Sequence, residues 1–360
     1  MARPAKAIVN LEAVRHNYRL AASLCAPGLA LAVVKANAYG HGAVAVAKTL
    51  EPLAPALGVA CIEEAQELRA AGIVAPILLL EGIFTADEVA IAADQQFWLM
   101  LENDQQLSAV ENAELIQPVK VWLKVDTGMH RLGLQVEQLK NSYARMQACQ
   151  HVDSDIVIAT HFACGDELDN DCSARQIACL KQAAEGLNAP LSLANSPGIL
   201  GWPDARAEWN RPGFMLYGNT PFDVPQEQAE KLKPVMTLQS AVISVRDITA
   251  GESVGYAAKW TASRPSKIAT IAMGYGDGYP RHAPNGTPVL VNGQRVPLVG
   301  RVSMDMITVD VTDLGSVAIG DEVILWGEEL TANEIAAHAG TIGYEVLTRM
   351  PMRTPRIYIN

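Results

Sequence analysis

The sequence is short of aromatic side chains, at 6% of 360 residues, and short of positive charge, with 28 lysines and arginines against 39 aspartates and glutamates. A formal net charge of −11 repels phosphate backbones, so nucleic-acid binding is not expected. It says nothing against a small anionic ligand, which needs only local positive groups. No window approaches 18 uninterrupted apolar residues, so no membrane-spanning helix is expected. The opening MARPAKAIVNLEAVRHNYRL lacks a continuous apolar segment, so no secretory signal is expected either. Six cysteines (Cys25, Cys61, Cys149, Cys164, Cys172 and Cys179) are scattered and form no CxxC pair. A disulfide framework is therefore not expected, and reduced thiols in a cytoplasmic protein are.

What the chain does have is apolar mass, 49% of its residues, enough for two domains or for one large barrel with an appendage. Its first two-thirds alternate. Short apolar runs stand at residues 29–34, 56–62, 76–80, 97–101, 119–125, 155–160, 191–194 and 213–217. Between most of them lie segments of helical period, such as EEAQELRAAG, TADEVAIAAD, VEQLKNSYARMQAC and SARQIACLKQAAEGL. Strands buried on both faces read as continuous apolar runs. Eight such strands separated by helices predict a parallel (β/α)8 TIM-type barrel over residues 1–232; an open doubly wound sheet is the alternative. From residue 233 to 360 the helical periods largely vanish. MTLQSAVISVRDI, KIATIAMGY, TPVLVNGQRVPLVGRVSMDMITVDV and DEVILWG predict a mainly β domain, with a hairpin at Asn292–Gly293 and short helices at Ala332–Ala339 and after Gly343.

Active sites of such barrels lie at the C-terminal ends of the strands. Lys35 and Tyr39 follow the first strand, in AVVKANAYGHG. Lys124 and Asp126 end the fifth and lead into TGMHRLG. His161 ends the sixth, ANSPG follows the seventh, and Arg211 opens the eighth in RPGFMLYG. Each has an ordinary reading: a solvated lysine, a satisfied rim histidine, a turn into a helix. Their convergence on one rim is what raises a functional reading. The set suits a phosphate-bearing aldehyde such as pyridoxal phosphate. Lys35 would form its Schiff base as a neutral amine, and Ser196 with the Gly213–Phe214 backbone would bind its phosphate. A metal reading of Lys124, Asp126 and His161 finds no HxH and no second strand-end histidine, so no metal is expected. GYGDGYP lacks a GK[ST] ending and is not read as a nucleotide loop.

Taken together, VVKANAYGHG, VDTGMHRLG, ANSPG, RPGFMLYG, VGYAAKW, GYGDGYPR, GRVSMD and TIGYEVLTR closely resemble the bacterial alanine racemases, from end to end. The resemblance implies an isomerase that interconverts L- and D-alanine by a two-base mechanism on pyridoxal 5′-phosphate, and that makes D-alanine for peptidoglycan or catabolises it. It implies Lys35 as Schiff-base lysine and one base, and Tyr256 as the other base, supplied across a homodimer. It places Arg211 at the pyridine nitrogen and His161 beside the ring. Tyr39, Ser196, Gly213, Phe214 and Tyr344 match phosphate-binding positions. Arg131 meets the cofactor's phenolic oxygen and the substrate carboxylate, and Met304 reaches that carboxylate from the other subunit. Lys124 matches a position that can be carbamylated, orienting Arg131. Asp166, in HFACGDE, is a candidate for the entrance corridor.

Chemistry runs parallel to the resemblance. Racemisation needs a proton-moving group on each face of a planar carbon, and one domain could hardly place both. A partner's β domain capping the barrel mouth would. Two other functions stay open at this point: a decarboxylase of similar build acting on a basic amino acid, and a cofactor-binding protein without turnover.

Overall fold

A computed structural model describes residues 3–360. Parallel strands form a ring in which Leu29–Ala30 and Ala32–Val33 are two halves of one strand, followed by Leu57–Val59, Ile77–Leu79, Phe97–Leu101, Val121–Lys124, Val157–Ala159, Leu191–Ser192 and Trp209–Asn210. The split strand closes the ring. The amides of Leu29, Leu31 and Val33 donate to Glu208, Asn210 and Pro212 on one side, and those of Ala32 and Val34 donate to Ala56 and Gly58 on the other. Inward positions of three strands fill one end of the barrel with tryptophan. Trp98, Trp122 and Trp209 lie with ring centroids 5.5 to 6.5 Å apart. Polar side chains gather at the opposite, C-terminal end.

The expected eighth strand, 213–217, is a correction. The eighth strand is Trp209–Asn210, and Phe214–Tyr217 form a 3-10 turn closed by Gly218 at φ 77°. Phe214, Met215, Leu216 and Tyr217 are all buried, and a short buried turn carries the same continuous apolar signal as a buried strand.

The second sheet is organised by the thirteen-residue strand Met236–Ile248. It pairs with Ser266–Ile271, Glu322–Trp326 and also Lys6–Asn10. The first strand of the chain, which the sequence reading grouped with the barrel, thus lies in the C-terminal sheet, beside the last strand Arg356–Ile359. Its alternation explains this: Ala7 and Val9 are fully buried, while their neighbours are half-buried, as on a sheet with one wetter face. Asn292 and Gly293, at φ 49° and 76°, make the expected hairpin turn between Pro288–Val291 and Gln294–Pro297. Helices Ala332–Ala339 and Gly343–Thr348 follow, and the second reaches the barrel mouth of its own chain through Tyr344. No helix among the described residues is long and apolar enough to cross a membrane.

Candidate active site

The first strand delivers Lys35 into an unusual turn. Ala36, Asn37, Ala38 and Tyr39 all adopt left-handed backbone angles, with φ between 51° and 54°. For L-residues this costs about 1–2 kcal/mol each, so the surroundings must enforce it. Glu64 accepts from the Ala36 amide (2.7 Å) and from the Ala60 amide (2.8 Å). Asn37 Oδ1 accepts from the Ala43 amide (2.8 Å). The fully buried His41 uses Nδ1 to bond the carbonyls of Ala38 and Tyr39 (3.0 and 2.9 Å), and burial pushes its pKa down to about 4. Arg356, from the last strand, donates twice to the Gly40 carbonyl at 3.0 Å. The turn brings Lys35 and Tyr39 to the same cavity.

That cavity, of about 540 Å³, lies at the C-terminal end of the barrel. Lys35, Tyr39, Lys124, Arg131, His161, Ser196, Arg211, Gly213, Phe214 and Tyr344 all line it. Tyr39 stacks on Tyr217 (4.8 Å), and Phe214 stacks on Tyr344 (3.6 Å). Neither the Tyr39 nor the Tyr344 hydroxyl has a hydrogen-bond partner among the described residues. Burial pushes both phenols well above their ordinary pKa. Ser196 Oγ accepts from the amides of Gly213 (3.0 Å) and Met215 (3.2 Å), which leaves its own O–H to donate. A Cβ at position 213 would stand 2.7 Å from Tyr39 Oη, so the glycine keeps this corner open. Three hydroxyl donors around a cleared corner fit a phosphate.

Arg211 is buried without a carboxylate. Its Nη1 donates to the Ser192 carbonyl (2.9 Å) and hydroxyl (2.6 Å), and its Nη2 to the Thr160 carbonyl (2.5 Å). Burial lowers its pKa to about 10, so it remains a cation near neutrality. Burial also lowers His161, helped by the charges of Arg211, Arg131, Lys124 and Lys35, to about 3, so the imidazole is neutral. Arg131 has no hydrogen bond or ion pair among the described residues. Its loop is shaped by Asp126, whose Oδ1 accepts from the amides of Gly128 (3.0 Å), Met129 (3.1 Å) and His130 (3.0 Å). Gly133, at φ 134°, closes the loop where a Cβ would meet the Asp126 amide at 2.6 Å.

Lys124 forms a buried ion pair with Glu102 at 3.1 Å. Burial pushes Glu102 up and Lys124 down in pKa, and each opposes the other's shift. Sequence reasoning missed Glu102, although LENDQQL places an acid just past a strand end, the signal that had singled out Lys124. It also missed Glu64, His41 and Arg356, which act through partners distant in sequence or through backbone groups.

Tyr256 and Met304 do not line this cavity. Tyr256 is 69% exposed, on the tip between the paired strands Ser253–Val254 and Trp260–Thr261. Met304 is 52% exposed, on a loop held by GYGDGYP: Gly276 donates to its carbonyl (2.8 Å), and the buried Asp277 binds Arg3 and Arg353. Tyr256 shares a shallow groove with Ser303 and Met306. Asp166 is exposed, and its charge helps raise Tyr344.

Residues 9–221 match the family described as alanine racemase, N-terminal domain, and residues 235–358 match alanine racemase, C-terminal domain. The chain is 55% identical over 357 residues to the alanine racemase of Pseudomonas taetrolens and to the catabolic alanine racemase of Pseudomonas putida, covering 99% of each chain in both pairs. Its fold superposes on the biosynthetic alanine racemase of Pseudomonas aeruginosa with a TM-score of 0.96, at 46% identity, covering 99% of this chain and 100% of that one. These similarities run through both the barrel and the β domain, and the chain belongs to the alanine racemase family.

Proposed function

We propose that the protein interconverts L- and D-alanine, with pyridoxal phosphate held at the barrel mouth and each site completed by the second copy of a homodimer. The observation that carries this reading is the cavity itself. A strand-end lysine, three hydroxyl donors beside a cleared glycine, and an arginine without a partner face one space.

In this reading Lys35 Nζ anchors the cofactor's aldehyde. Tyr39, Ser196, Tyr344 and the Gly213–Phe214 backbone would hold its phosphate, Arg211 would meet its pyridine nitrogen, and His161 would lie beside its ring. When bound, the cofactor supplies a conjugated electron sink that weakens an amino acid's Cα–H bond. Arg211 would donate a hydrogen bond to the pyridine nitrogen and keep its proton, because a guanidinium is a far weaker acid than a pyridinium. Arg131 receives the alanine carboxylate, with the partner subunit's Met304 on the other side. A single base would return the proton to the face it came from. Inversion therefore needs two: Lys35 Nζ serves D-alanine, and the partner subunit's Tyr256 Oη serves L-alanine from the opposite face. The exposed positions of Tyr256 and Met304 on their own chain agree with a role against a neighbour's barrel. We place the enzyme in the cytoplasm, where its six free thiols stay reduced. Relatives carry both catabolic and biosynthetic names, so D-alanine degradation and D-alanine supply are both compatible physiological roles.

The test supplies purified protein with pyridoxal phosphate and L-alanine, and separates the enantiomers by chiral chromatography. D-Alanine is expected to accumulate. Carbon dioxide release from lysine or ornithine, with no D-alanine, would favour the decarboxylase reading. Cofactor uptake with no turnover would leave a binding protein.

A further inference from the structure

The geometry points to Gln176 as a positioning residue: from behind the barrel mouth, its carboxamide locks together the two loops that present Arg131 and His161. This rests on the reading of the cavity as a racemase site.

Gln176 lies in the helix Cys172–Ala183, whose buried residues are Ser173, Gln176, Ile177 and Leu180. This i, i+3, i+4, i+7 row is the inward face of the helix, where an apolar side chain is the ordinary choice. Gln176 is instead 1% exposed, and a carboxamide buried that deeply costs free energy unless its hydrogen bonds are made. They are made to the loops after two neighbouring strands. Nε2 donates to Thr127 Oγ1 (3.1 Å) and to the His161 carbonyl (3.0 Å), and Oε1 accepts from the Ala163 amide (2.9 Å). The Cys172 thiol, 3.9 Å from Oε1, adds a weak donor. An amide N–H only donates and a carbonyl only accepts, so the carboxamide fits in one orientation. From the same helix face, Ser173 Oγ donates to the Cys164 carbonyl (3.1 Å).

The hydrogen bonds continue in one direction towards the cavity. Thr160 Oγ1 donates to the Val125 carbonyl (2.9 Å). A hydroxyl has one proton, so at the 2.7 Å contact between Thr127 Oγ1 and Thr160 Oγ1 it is Thr127 that donates. Thr127 in turn accepts from Gln176. The chain thus runs from the helix through both loops to the residue that follows the strand Val121–Lys124, each bond polarising the next. Thr160 lines the cavity, and its carbonyl accepts from Arg211 Nη2, whereas Gln176 and Thr127 stand behind the lining. Arg131 has no partner of its own among the described residues, so its position is the position of its loop. Asp126 shapes that loop from within. Gln176 ties the root of the loop to the segment that carries His161.

The test uses the holoenzyme of Gln176→Met, which keeps the length of the side chain and loses its hydrogen bonds. With Arg131 less firmly placed, KM for alanine and the Kd of acetate, a carboxylate without the amino group, should both rise about tenfold, the size of one weakened charge-assisted contact. Acetate binding is read by calorimetric titration. The value of kcat should fall less, and pyridoxal phosphate affinity should stay near that of the wild type, because the residues proposed for its phosphate and aldehyde lie on other elements. A general loosening of the fold would weaken cofactor and acetate alike. That outcome overturns the proposal, as do unchanged KM and acetate affinity in the folded variant. If Gln176→Met fails to fold, Thr127→Val breaks the same chain at its second link. The same rise is expected there, and Thr127→Ser, which keeps the hydroxyl, should reverse it; a Thr127→Val enzyme with wild-type KM and acetate affinity overturns the proposal. A wild-type protein that binds acetate but turns over no alanine counts against the racemase reading, and the acetate affinities of wild type and variants still decide the role of Gln176.

Discussion

Tyr256 and Lys35 differ in what their loss removes. In the proposed mechanism Lys35 anchors the cofactor as well as moving a proton, so its removal blurs binding with chemistry. Tyr256 lies outside its own chain's cavity and, in the proposed assembly, only visits the neighbour's. Tyr256→Phe should therefore nearly stop deuterium exchange at Cα of L-alanine, while exchange into D-alanine survives in part, as followed by NMR in deuterated buffer. Equal loss for both enantiomers would show that the two bases are not divided between them. The strand-end lysines and His161 could be placed on the rim from the apolar runs they end or follow, and Arg131 from the glycine-bearing loop after the fifth run; Arg211 was placed there ahead of an expected strand that is in fact a 3-10 turn. Glu64, His41 and Arg356 were not legible in the sequence. Their work is to hold backbone groups of the 36–40 turn, and no local pattern marks a side chain for a partner 28 or 316 residues away.

At the scale of elements, the turn after Lys35 and the turn after Arg211 lie side by side at the same cavity, and a glycine in each can be tested separately. A Cβ at Gly40 would lie 2.0 Å from the Leu347 carbonyl, on backbone at φ 83°. Gly40→Ala should thus destabilise the fold by about 2 kcal/mol or more, because backbone must move and the conformation itself is strained. A Cβ at Gly213 meets chiefly the end of the Tyr39 side chain, which can move away. Gly213→Ala should leave the melting temperature nearly unchanged yet weaken pyridoxal phosphate binding roughly tenfold, about 1.4 kcal/mol, as Tyr39 Oη leaves the corner. Calorimetry and cofactor titration together check the pair; a stable Gly40→Ala protein or unaltered cofactor affinity in Gly213→Ala would contradict it. Long, strongly patterned elements were readable from sequence, such as Met236–Ile248 and Ala332–Ala339. The short apolar run 213–217 was not, because four buried residues fit a strand and a 3-10 turn equally well.

On the scale of the whole molecule, Lys6–Asn10, Arg356–Ile359 and the helix Gly343–Thr348 tie the β domain to the barrel of the same chain, while Tyr256 and Met304 stand exposed beyond it. A shared site follows if two copies place these residues over each other's barrel mouths. Mixing inactive Lys35→Ala with inactive Tyr256→Phe under conditions that exchange subunits should restore activity, because each heterodimer carries one site with both groups intact. No recovery despite demonstrated exchange would mean that each chain works alone.

In the proposed mechanism alanine inverts at Cα by loss of its proton on one face and gain of a solvent-derived proton on the other. The most direct measurement incubates wild-type holoenzyme with L-alanine in deuterium oxide and follows both enantiomers and their Cα isotope over time. Because enantiomers have equal free energy, the account predicts approach to equal amounts of L- and D-alanine, with newly formed D-alanine carrying deuterium at Cα. An absence of D-alanine, or D-alanine that keeps its original Cα hydrogen throughout, would contradict it.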